Sequence, residues 1–134
     1  MVNNKISLQN KPKKVFKFYE DPLDFGVFSR FDEAIKALST ENGSLNKRLY
    51  HAYYDCGIVH LWSDNFEDEF IRVYLKEVEK MISDEVKSIK DMKLSSDYCR
   101  VHRQFDFHWK KASRMANCIF IIYRYLVKLR MTRE

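Results

Sequence analysis

Along most of this chain apolar residues recur at alternating steps of three and four, the spacing that gathers side chains onto one face of an α-helix. Phe28, Phe31, Ala34, Ile35 and Leu38 predict a first helix over about 24–38. Asn42-Gly43 follows, a pair that tolerates positive φ and ends helices. Ser44 can accept from free backbone N–H groups, so it predicts the start of a second helix running to about residue 62. That helix carries Leu49, Tyr50, Tyr53, Tyr54, Ile58 and Leu61. Its dense tyrosines suit either an aromatic core or an interface, because each ring is apolar and each hydroxyl wants a partner.

Ser63-Asp64-Asn65 predicts a break and a new cap, and a third helix runs from about 66 to 92. Its stripe is Phe70, Ile71, Tyr74, Val78, Met81, Ile82, Val86 and Ile89, with acids leading and Lys87 and Lys90 closing, as the helix dipole favours. The longest pattern comes last. Tyr98, Val101, Phe105, His108, Ala112, Met115, Ile119, Ile122, Leu126 and Leu129 form a heptad-like seam, a helix of roughly 45 Å at about 1.5 Å per residue. A division near 106–111 stays open. From Cys118 to Val127 the segment is apolar on most sides, so it is either the central helix of the bundle or one with a second face for a partner.

The expected fold is therefore all-α, a four- or five-helix bundle in a single domain over 15–134. Composition agrees: three Gly and two Pro in 134 residues are too few for the turns of a β-sandwich. Residues 1–14 read as a disordered basic arm, with Lys5, Lys11, Lys13 and Lys14 and no acid. Net charge is +5 and uneven, since 64–92 holds nine acids against five basic residues while both ends are basic. Solvated helix faces of mixed sign explain this more simply than nucleic acid, although the arm and Lys110-Lys111 offer phosphate contacts. The longest apolar run, 118–123, is far short of the roughly 20 residues of a membrane span. Cys56, Cys99 and Cys118 include no close pair and follow a polar N-terminus, which predicts reduced thiols in a cytoplasmic or nuclear protein.

Candidate chemistry is sparse. Arg103 and His108 match the Arg-x4-His spacing of the helical HEPN ribonucleases. There an arginine would stabilise phosphorane charge and a histidine would act as acid or base, without metal. On the seam, His108 reads more simply as a satisfied core histidine. Cys99, His102 and His108 lack the second tight ligand pair of a structural zinc site, so no metal is expected. No phosphate loop, nucleophile elbow or other cofactor signature is present.

Four segments in order carry a resemblance. They are Phe31 to Leu38, then Leu49-Tyr50-His51-Ala52-Tyr53-Tyr54, then Tyr74-Leu75-Lys76-Glu77-Val78, and finally Tyr123-Arg124-Tyr125-Leu126-Val127-Lys128. Over about 25–130 their order and spacing resemble the first helical repeat of the cullin N-terminal domain. The resemblance implies a non-enzymatic protein-interaction module binding a BTB-fold adaptor through its second and last helices, either as a piece of a scaffold or as a stand-alone mimic that occupies adaptors. The matching positions are Leu49, Tyr50 and Tyr53, with Met115, Ile119 and Ile122. Where that family often has a large residue before the Leu-Tyr pair, this chain has Asn46, Lys47 and Arg48. The alternative expectation is the HEPN-like ribonuclease or toxin using Arg103 and His108.

Overall fold

The computed structural model describes residues 19–24, 26–92 (the backbone alone for 86–92) and 105–133. The basic arm at 1–14 lies outside the described residues, as do Tyr98, Cys99, Val101, His102 and Arg103. Four α-helices stand among the described residues: α1 (Val27–Thr40), α2 (Leu45–Tyr50), α3 (Glu69–Met92) and α4 (Trp109–Thr132). The described residues hold no strand; their one β-type contact is an isolated bridge between Tyr19 and Phe66. The all-α expectation is met, and no described helix is long and apolar enough to cross a membrane.

Helix α1 buries Val27, Phe31, Ala34 and Ala37, one face at three- and four-residue steps. It begins after Gly26 at φ 70°, a conformation other residues adopt only with strain. Ser44 caps α2 as expected, accepting from the Lys47 N–H at 3.2 Å. Arg48 of α2 reaches back to the carbonyls of Leu38 and Gly43, so a cation completes the C-terminal end of α1.

Three boundaries differ from the sequence reading. The second helix does not run to residue 62. After Tyr50 the backbone widens into a π turn over His51–Asp55, closed by the Cys56 N–H on the His51 carbonyl, and Gly57 at φ 96° then turns the chain. Short 3-10 turns at Ile58–His60 and Ser63–Asn65 follow. The third helix is capped by Asp68, not by 63–65: its Oδ1 accepts from the Phe70 and Ile71 N–H groups at 3.0 and 3.3 Å. The last helix starts at Trp109, not Tyr98, because residues 105–108 are non-helical.

Helix α4 organises the core. Met115, Ile119, Ile122 and Leu126 on it are fully buried, and α1, α2 and α3 each pack against it while α1 and α3 do not meet. Tyr123 donates to Asp32 of α1 at 2.9 Å, and Arg130 lies 4.5 Å from the Phe28 ring centre. On the other side the Tyr125 hydroxyl donates to Asp68 Oδ2 at 2.6 Å. Asp68 thus caps α3 with one oxygen and holds α4 with the other.

Because Ile119 lies at the centre of this packing, Ile119→Ala is expected to cost about 2–5 kcal/mol, read as a lower urea midpoint at unchanged slope. Phe120→Ala, one residue along on the open face, should change stability by only about 0.5 kcal/mol.

Candidate functional site

The six residues implied by the resemblance sit mainly inside the domain. Leu49, Met115, Ile119 and Ile122 are wholly buried and Tyr53 is 7% exposed; Tyr50 alone is half-buried. The predicted helix 2–helix 4 contact surface is therefore not an outer surface, and the reason is local. The extended segment 105–107 lies across α2 and its π turn. Asn46 binds that segment as a strand neighbour would, its Nδ2 donating to the Phe107 carbonyl at 2.9 Å and its Oδ1 accepting from the Phe107 N–H at 3.0 Å. Phe105 then inserts among Tyr50, Tyr53 and Tyr54 at centroid distances of 5.6, 6.3 and 5.8 Å. The tyrosine-rich helix finds its partner within its own chain.

This burial shows in the ionisation of the phenols. Tyr53 is pushed well above the ordinary tyrosine range, first by burial and then by the nearby Glu79 and Tyr54. Glu79 is itself engaged, accepting from the Ser63 N–H at 2.8 Å and from its hydroxyl at 2.6 Å. Burial also raises the Cys56 and Cys118 thiols, so neither is a ready thiolate nucleophile.

His108, read from the sequence as a core residue or a catalytic one, is instead the exposed N-cap of α4. Its Nδ1 accepts from the Lys110 N–H at 3.2 Å. It borders a cleft of about 350 Å³ between the outer half of α3 and the start of α4. Lys80, Lys110, Lys111 and Arg114 bring four positive charges there, but Glu77 and Asp84 line the same cleft. Glu77 pairs with Arg114 at 3.2 Å, and Glu85 and Asp106 lie close enough to influence one another. Four cations against two lining acids leave the cleft with a net positive lining, reduced by the Glu77–Arg114 pair. Among the described residues no group of His, Cys, Asp and Glu is arranged to hold a metal ion.

The more open apolar feature is one the sequence reading did not single out. Phe70 of α3 stacks on Tyr125 of α4, rings 4.4 Å apart and inclined by 20°, and also meets Tyr74 at 5.0 Å. With Ile121, Arg124 and Lys128 these two rings line a groove of about 250 Å³. Phe70 is 38% exposed, and nearby Val73 and Phe120 are 52% and 44% exposed. Arg124 rests 5.7 Å from the Phe120 ring centre at the rim. One signal for this groove was legible: Phe70 adjoins Ile71, Phe120 adjoins Ile119 and Tyr125 adjoins Leu126, and adjacent side chains on a helix point about 100° apart, so a second large apolar residue beside a buried one often turns towards the surface.

Comparison with known proteins adds no relative. No family model, curated protein or solved structure matches the chain.

Two measurements follow from this geometry. Asn46→Ala leaves the Phe107 N–H and carbonyl without their partner, so it should destabilise the domain by about 1–3 kcal/mol and speed hydrogen exchange at the Phe107 amide. The Tyr125 phenol is held up to about 12 by burial and by its hydrogen bond to Asp68. The folded state therefore favours the neutral phenol: its contribution is complete below about pH 10 and is lost as pH rises towards about 12. Tyr125→Phe should flatten the fall of the urea midpoint across that window.

Proposed function

We propose that this chain is a non-enzymatic protein-interaction module and that its contact surface is the α3–α4 groove. The observation that carries this reading is the Phe70–Tyr125 stack, in which exposed Phe70 lies on half-buried Tyr125, with Val73 and Phe120 exposed on the same two helices. Exposed aromatic side chains gathered on one face, with cations at the rim, have the make-up of a binding hot spot and its polar border. A BTB-fold adaptor, the partner implied by the cullin-repeat resemblance, is a candidate occupant of this groove. Of the six residues carried over from that resemblance, five are committed to the core and only half-buried Tyr50 is left to reach a partner. The ribonuclease alternative keeps a net positive cleft beside His108, but His108 is engaged as the cap of α4 and its partner Arg103 lies outside the described residues.

The test is positional. A photo-reactive phenylalanine analogue replacing Val73 should give discrete protein adducts in a native lysate, and Phe70→Ser in the same chain should remove them. The analogue replacing Glu33, exposed on α1, should give none of these. Equal adducts from both positions, or none from Val73, would overturn the assignment of this surface.

A further inference from the structure

Resting on that reading of the groove, we infer that its occupant is an acidic amphipathic segment of a partner protein, carrying one or two bulky apolar side chains flanked by carboxylates. Size comes first. About 250 Å³ is below the roughly 300–1,000 Å³ typical of pockets for drug-sized ligands and cofactors, and the groove is open along its length. It accommodates side chains presented from a partner's backbone, which would pack on Phe70, Tyr125 and Ile121.

Charge decides the rest. Arg124 and Lys128 stand one helical turn apart at the rim, and neither forms an ion pair among the described residues. The neighbouring charges are already matched. Arg72 pairs with Glu69, Lys76 with Asp64 at 3.2 Å and Arg114 with Glu77 at 3.2 Å. Asp68, the acid nearest the stacked rings, is occupied by the α3 N-terminus and the Tyr125 hydroxyl. What the groove offers unpaired is positive, so a segment bearing carboxylates gains attraction where a basic one is repelled. A second copy of the chain joined through this face about a two-fold axis would bring Arg124 and Lys128 towards their own equivalents, which like-charge repulsion disfavours.

The probe is a fluorescent helical peptide with leucine and phenylalanine one turn apart, flanked by glutamates. One control has lysines in place of the glutamates, and a second has serines in place of the apolar pair. Titrated with the full chain and followed by anisotropy, the glutamate peptide should bind at least about tenfold more tightly than either control, the preference over the lysine peptide shrinking as salt rises. The double variant Arg124→Glu with Lys128→Glu, helical by circular dichroism, should reverse the preference towards the lysine peptide. Equal binding of the two charged peptides, or a preference unmoved by the double variant, overturns the acidic occupant; adducts at Val73 that persist in that case leave the groove itself standing as a contact surface. A dimer of the wild-type chain that Phe70→Ser dissolves assigns the groove to a second copy and overturns the inference as well.

Discussion

Helix α4 is the one described helix that packs against all the others. The helices α1 and α2 lie against it, α3 covers another side, and α1 and α3 never touch. Four fully buried side chains, Met115, Ile119, Ile122 and Leu126, fill the space between. Two phenols on the same helix then tie it outward, Tyr123 to Asp32 and Tyr125 to Asp68. Apolar burial supplies the non-directional attraction, and these hydrogen bonds set how α1 and α3 are rotated against the hub. α1 and α2 also pack on each other, but α3 meets no described helix except α4, so loosening α4 detaches α3 from the rest of the bundle.

The same hub explains why both an interior and a surface arise from one apolar stretch. Between Cys118 and Val127 the helix has more apolar side chains than three neighbours can cover. Those at 118, 119, 122 and 126 face inward, whereas Phe120 points out and Ile121 and Tyr125 border the groove against Phe70. Of the two alternatives for this segment, the central helix is the one observed, and it also leaves Phe120 exposed beside the groove. Elsewhere the tyrosines of α2 and its π turn are partly covered by Phe105, which packs in turn on Phe107. One aromatic cluster became core because the chain returned across it; the other stayed open because nothing among the described residues does.

Much of the architecture was readable from spacing alone, and the failures have separate causes. The face of α1 and the Ser44 cap follow from local rules that tertiary packing did not override. Periodicity cannot register the extra residue of a π turn, since Tyr50, Tyr53 and Tyr54 fit a helix equally well before and after it; Gly57 was the visible sign that the helix would not continue. Phe105 fell on the heptad count although it belongs to an extended stretch, and buried Phe105, exposed Asp106 and buried Phe107 show the period of two that the longer pattern masked. His108 was placed inside by the same count and proves to be a cap. At the start of α3 three polar residues looked like the stop signal, but the carboxylate that satisfies the free N–H groups is Asp68, five residues after Ser63. The groove escapes for a simpler reason: Phe70 falls on the apolar stripe of its helix, whereas Ile121 and Tyr125 fall off the heptad-like seam, so no single stripe joins them.

The position of the hub along the chain has a consequence for how the domain comes into being. Synthesis proceeds from the N-terminus at about 5–20 residues per second, and α4 is the last of the described helices to emerge. Until Leu126 has been made, α1 and α2 have only each other, the π turn and the 58–60 turn to pack on, α3 has only the 63–65 turn, and α1 cannot use α3 as a substitute. A ribosome that pauses before that point holds a nascent chain whose faces towards α4 are bare, so the interval before α4 appears exposes apolar surface to chaperones and to aggregation.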